Sequence, residues 1–185
     1  MRKQSTDGNH EITENALEAP LLQDVAKLSG LAQINFADSY EGQVNAGEVT
    51  ANEAAQAIFT APPRFAVALM HLRNRIVGLF GLKVLEPVLA AQPDPHCIGI
   101  FPVLYEAGDT IILGMDDKHL DFRICVRVHN AGHASRITLS TLVGTKNTYG
   151  KLYLAAVMPF HRLLSRHMLN LGLQRLAHGS VRNKD

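Results

Sequence analysis

KLYLAAVMPFHRLLSRHMLNLGLQRLA, residues 151–177, is the stretch whose reading decides the fold of this chain. Leu152, Ala156, Phe160, Leu163, His167, Met168 and Leu171 recur at three- and four-residue spacing, while Arg162, Arg166 and Asn170 repeat every four residues on another flank. That pattern predicts an amphipathic helix. At about 1.5 Å per residue it would run roughly 40 Å, enough to cross a small domain from end to end. Pro159 lies inside it, so the helix either kinks there, where the ring removes an amide donor, or begins near Met158. Its apolar stripe needs a partner surface, which the strands upstream must supply.

The clearest of those strands begins at Leu120. Leu120, Phe122, Ile124, Val126 and Val128 alternate with Asp121, Arg123, Cys125, Arg127 and His129, which predicts one face on a core and the other in water. Residues 130–134 turn the chain. Ile137, Leu139, Thr141 and Val143 then alternate with Arg136, Thr138 and Ser140 in an antiparallel partner. Before this hairpin, residues 98–105 read as a strand in which Pro102 is best tolerated at an edge. Gly108 and Asp109 form a turn, and residues 110–113 return as the next strand.

Further upstream the signals are helical. Pro62 and Pro63 suit the first turn of a helix in which Phe65, Leu69, Leu72, Ile76 and Leu79 line one face, with Gly81 as a stop. Thr50 stands three residues before Glu53, a capping-box spacing, and Ala54, Ala57 and Ile58 form the face of a short helix over 49–60. Pro87, Pro93 and Pro95 mark a loop. Residues 32–40 read as a first strand before an acidic turn. Residues 1–20 are polar and lack a period, so they are expected to form a disordered arm, and 179–185 a disordered tail. One domain is expected over 21–178.

The totals agree with that size. A chain of 185 residues with 46% hydrophobic content can bury a single substantial core. Its net charge is +1, but residues 1–60 hold three Lys/Arg against nine Asp/Glu, and residues 111–185 hold eleven against four. Solvated faces, or a basic patch for an anionic lipid or partner, both fit this split. No basic run is interleaved with aromatics and Trp is absent, which argues against nucleic acid as a partner. Cys97 and Cys125 make neither a disulfide framework nor a metal-type pair, so a reducing, cytoplasmic setting is expected. No secretory signal follows the first basic residues, and no stretch reaches the roughly 20 apolar residues of an integral membrane span.

A strand, two short helices, a run of antiparallel strands and a long terminal helix is the order of the α+β helix-grip fold. Three segments make the likeness more specific: LRNRIVGLFGLK (72–83), GMDDKHLDFR (114–123) and LYLAAVMPFHRLL (152–164). They resemble the signature segments of the bacterial family known as domain of unknown function 2867 (DUF2867). That family is similar to the superfamily of START domains, polyketide cyclases and the birch pollen allergen (SRPBCC or Bet v 1-like). The resemblance spans about residues 32–173. It implies a curved sheet wrapped around the last helix, with an apolar cavity between them for a lipid-like or polyketide-like molecule. It brings no catalytic residue and no cofactor. Some relatives carry a fused nucleotide-binding reductase domain, but no GxGxxG loop exists here, so no dinucleotide function follows.

Few residues suggest chemistry directly. Asp116, Asp117, His119 and Asp121 crowd one loop, where they could bind a divalent ion or act as acid and base. They could equally be turn chemistry, with Asp121 and Arg123 pairing with Arg127 or Arg136 across strands. His129 and His133 are four apart but in a turn, so no metal site is expected. His167 falls on the apolar stripe and could project into a cavity, whereas His161 beside Arg162 is expected near an end or in solvent. Cys125 has no histidine beside it in sequence and is expected to be inert. The leading expectation is a non-enzymatic module whose ligand-binding walls are Phe122, Ile124, Val126, Leu139, Phe160, Leu164, His167 and Met168. A cyclase or aromatase moving protons through His167, and a protein-interaction domain with a solid core, are the alternatives.

Overall fold

The computed structural model describes residues 16–21, 23–61 and 96–182. One antiparallel sheet organises them. Its strands are β1 (Leu17–Glu18), β2 (Phe36–Val44), β3 (Cys97–Ile98), β4 (Phe101–Ala107), β5 (Thr110–Asp116), β6 (Leu120–Ala131) and β7 (Ala134–Thr145). They lie side by side in the order β1-β2-β7-β6-β5-β4-β3. Helices α1 (Gln23–Leu28) and α2 (Ala51–Phe59) flank β2 in the chain, and α3 (Thr148–Arg182) closes it. The expected first fifteen residues of the arm, the helix around Phe65–Leu79 and the proline-marked loop lie outside the described residues.

β6 and β7 form the spine of the sheet, in register from Leu120 opposite Thr145 to Ala131 opposite Ala134. Their turn needs Gly132, whose φ of 64° is a left-handed conformation that side chains other than glycine rarely adopt. The first long strand then joins the last, with Phe36 opposite Val143 and Val44 opposite Ser135. It starts later than the expected 32–40 strand, because the residues just before it bond to the end of β7 through side chains. Gln33 Nε2 donates to the Thr145 carbonyl at 2.6 Å, and Asn35 Oδ1 accepts from the Thr145 amide at 2.7 Å. The strand also runs on through Glu41 to Val44, where an acidic turn was expected after residue 40. Phe36, Asp38 and Tyr40 therefore alternate on the face toward α3.

The capping box of α2 forms as the spacing predicts. Thr50 Oγ1 accepts from the Glu53 amide at 3.2 Å, and Glu53 Oε2 accepts from the Thr50 amide at 2.8 Å. This helix buries Ala51, Ala54, Ala55 and Ile58 against the same sheet face as α3. Only one described short helix follows β2. The other described short helix, α1, precedes it and covers the opposite face.

That opposite face corrects the expectation of a water-facing side. Val25 of α1 packs with Ile112, Cys125 and Leu142 in a second, smaller core. Burial there pushes the Cys125 thiol up to about 11. Arg123 is buried too, with Nε donating to the Ser29 carbonyl at 3.0 Å and Nη1 2.7 Å from Asp116. Arg127 pairs with Asp24 of α1 at 2.7 Å. Both carboxyls are held below the usual range, chiefly by the hydrogen bond from their arginine. Alternation predicts the two faces correctly and cannot say what covers the polar one.

Two further boundaries change. Residues expected in a disordered arm form β1, with Leu17 opposite Glu41 and Glu18 opposite Tyr40. The backbone of Ala16 is held by α3: its amide donates to Asn170 Oδ1 at 2.7 Å, and its carbonyl accepts from Arg166 Nη2 at 3.4 Å. A contact made through backbone leaves no hydrophobic period to read. At the other end, α3 runs unbroken through Pro159 and on to Arg182, past the expected start of a tail at 179. Its 35 residues span roughly 50 Å.

Candidate functional site

How α3 is rotated on the sheet fixes what lies between them. Its buried side consists of Ser165, Met168, Leu169 and Leu173, with Gly172 where it crosses α2. A Cβ at Gly172 would come within 2.5 Å of Ile58 Cγ1, and one at Gly42 of β2 would overlap Leu173, so two glycines let the helix sit close. Most of the stripe read from the sequence turns outward instead, and of its members only Met168 is buried. Leu152 and Leu163 are 63% and 68% exposed, and Phe160 is 52% exposed. The helix offers more than one apolar flank, and close packing at Gly172 and Gly42 selects a different one from the most regular.

The expected wall residues are accordingly divided. Ile124, Val126, Leu139 and Met168 lie in the packed core, and Phe122 and Leu164 pack at its margin. Phe160 and His167 face outward, not into the space between helix and sheet, which removes the inward placement expected of both. Phe122 continues into an edge-to-face series with Phe101 and Phe59, at centroid distances of 5.7 and 5.5 Å.

Among the described residues a groove lies beside the N-terminal half of α3. It holds about 370 Å³ and is lined by Asn35 and Phe36 at the start of β2, Thr145 at the end of β7, and Lys151, Leu154, Ala155 and Met158 of α3. Pro159 has no amide hydrogen, so the carbonyl of Ala155, four residues earlier, loses its regular helical donor on a residue that lines this groove.

A polar cluster adjoins it. Asp38 and Tyr40 follow Phe36 on the same face of β2, and His161 and Ser165 follow Met158 on the helix. His161 Nε2 lies 3.4 Å from Asp38 Oδ1 and 3.3 Å from Ser165 Oγ. Tyr40 Oη donates to Asp38 Oδ2 at 3.3 Å. The Phe36 ring, which lines the groove, meets the His161 ring edge to face at 5.9 Å. Desolvation first, and the Asp38 charge next, push the Tyr40 hydroxyl up to about 12. Serine, histidine and aspartate here do not form a nucleophilic triad, because Asp38 and Ser165 address the same ring nitrogen and a relay needs both nitrogens.

The sequence reading missed this cluster and placed His161 in solvent or at an end. The available signals were an aspartate between two aromatics on alternate strand positions, and a histidine and serine four apart on a helix. The acidic loop resolves as turn chemistry. Asp121 pairs with Lys146 at 2.6 Å and accepts from the Asp117 amide at 3.2 Å, rather than pairing with Arg127 or Arg136. His119 faces Asn147 through Nδ1, and its Nε2 is sealed without a hydrogen-bond partner among the described residues. Among the described residues, no three His, Cys, Asp or Glu side chains are grouped to hold a metal ion. No described helix is long and apolar enough to cross a membrane.

A seven-stranded antiparallel sheet gripping a long C-terminal helix, with a groove at the contact, defines a helix-grip protein. The chain belongs to the family described as "Protein of unknown function (DUF2867)", whose sequence model matches residues 31–168. Among solved structures it is similar to a START superfamily protein from Mycobacterium smegmatis, at 12% identity and a TM-score of 0.32, covering 80% of this chain and 99% of that one. No curated protein matches it.

Proposed function

We propose that this chain binds a small amphipathic carboxylic acid of lipid-like character in the groove beside the N-terminal half of α3. The groove itself supports this reading: about 370 Å³ of space, walled by Phe36, Leu154, Ala155 and Met158, with Lys151 at its rim. Pockets for small molecules begin at about 300 Å³ and combine apolar walls with a few placed polar groups. An ammonium at the rim favours an anionic end group, and Asn35 and Thr145 add hydrogen-bonding side chains beside it.

The test is calorimetric titration with a panel of medium-chain fatty acids and the matching primary alcohols. The wild type is expected to bind the acids better than the alcohols. Leu154→Trp should fill the groove and abolish binding, and Lys151→Gln should remove the preference for acids. Acids that bind Leu154→Trp as tightly as wild type, or a panel with no binder, would overturn the reading.

A further inference from the structure

We infer that the outward face of α3 docks on the surface of an anionic lipid bilayer, with Tyr149, Leu152, Phe160 and Leu163 entering the interface and basic side chains meeting the headgroups. The inference starts from what this helix leaves uncovered. Tyr149 is 61% exposed, Leu152 63%, Phe160 52% and Leu163 68%. Together with exposed Ala156 they are spaced by three, four, four and three residues, which sets them in one row on the side of the helix turned away from the sheet. At about 1.5 Å per residue the row is roughly 21 Å long. The groove is lined by other residues of α3, so the inference does not depend on the groove reading.

Charge selects the occupant. Residues 148–182 contain Lys151, Arg162, Arg166, Arg175 and Arg182 and no Asp or Glu. Exposed Lys151 and Arg162 flank the row, so the surface that fits it is anionic as well as apolar. A second copy of this chain does not meet that demand. Pairing two rows about a two-fold axis through Ala156 sets Lys151 of one helix against Arg162 of the other, with no carboxylate on either helix to answer them. Peptide helices are taken up by grooves, whereas this row is a convex ridge. A fluid bilayer needs no preformed groove, because its lipids close around an inserted side chain. Tyr149 adds an amphipathic ring of the kind that favours headgroup depth. Docking of this sort is peripheral, in keeping with described helices that are none of them long and apolar enough to cross a membrane.

The experiment is co-sedimentation of the full chain with vesicles of phosphatidylcholine alone and of phosphatidylcholine mixed in equal parts with phosphatidylglycerol. The wild type is expected to bind the mixed vesicles at least about tenfold better, and high salt should erase the difference. Leu152→Glu and Leu163→Glu should each weaken that binding by about tenfold or more, because one leucine is no longer buried and a repelled charge is added. Arg162→Gln should weaken it about fivefold. Both leucines are exposed, so the urea midpoints of their variants should stay near that of the wild type. A Phe160→Trp reporter, in a chain with no tryptophan of its own, should shift its emission to the blue with mixed vesicles and not with neutral ones. That measurement keeps the face under test if a glutamate variant fails to fold. Equal binding to both vesicles, binding to neither, or glutamate variants that bind like the wild type would overturn the inference. A dimer in light scattering that Leu163→Glu dissociates would overturn it too and assign the face to a second copy.

Discussion

The two parts of α3 on either side of Pro159 have opposite surroundings. Beyond Pro159 the helix is clamped: Leu169 is fully buried, Leu173 nests over Gly42, and Gly172 touches Ile58. Before Pro159 it carries exposed Tyr149 and Leu152 on one side and an open groove on the other. The first arrangement is what a helix does to stabilise a fold, because close-packed apolar atoms gain both transfer and dispersion energy. The second leaves apolar surface uncovered, which is a cost unless something occupies it. The difference separates the part of the helix that holds the domain together from the part that meets other molecules.

Truncation of the clamped half should do most damage. Leu173→Ala is expected to lower unfolding free energy by about 2–5 kcal/mol in urea titrations, because it empties a site that Gly42 cannot fill. A loss below about 1 kcal/mol would break the distinction between the halves.

Alkaline pH probes the boundary between them, where Arg166 lies over the Tyr40 ring at 5.9 Å. Tyr40 is raised from 10.0 to about 12, so the folded protein keeps this proton longer than the unfolded chain. The contribution is fully present below pH 10, and stability falls as pH rises from there through about 12. Cys125 adds the same sign on the far face of the sheet, between 9.0 and about 11. Urea midpoints measured from pH 8 upward should decline, and Tyr40→Phe should flatten the upper part of the decline. An unchanged slope in that variant would remove Tyr40 from the account.

The smallest effect is expected on the outward flank of the helix beyond Pro159, which the clamp leaves uncovered. Leu163→Ala replaces a side chain that is 68% exposed, so its urea midpoint should correspond to a change within about 0.5 kcal/mol. A large destabilisation there would show that this flank is packed in solution.

The same contrast explains what could be read beforehand. β6 and β7 were legible because an alternating strand with one buried face has no other comfortable arrangement, and the Thr50–Glu53 cap is a purely local device. The existence of α3 was legible for the same reason. Its rotation was not, because Leu152, Phe160 and Leu163 form as good a stripe as Ser165, Leu169 and Leu173, and the choice is made by distant partners. Gly42 and Ile58 decide it through close approach, which no periodicity encodes. The Asp38–His161 pair is separated by 123 residues and has no local signature on either side. The covering of the polar face by α1 was hidden likewise, since Arg123 and Arg127 look solvated until Ser29 and Asp24 are placed beside them.

Strand β1 has a consequence for how the molecule behaves in a crowded solution. A nine-residue strand at the edge of a sheet is a template on which a neighbouring chain could add itself by backbone hydrogen bonds. Leu17 and Glu18 occupy the middle of that edge, opposite Glu41 and Tyr40, and α3 secures them through Ala16. Two residues of ladder thus interrupt the edge of β2, so that no intruding strand finds its full length free. This short strand guards the sheet against growing into an aggregate.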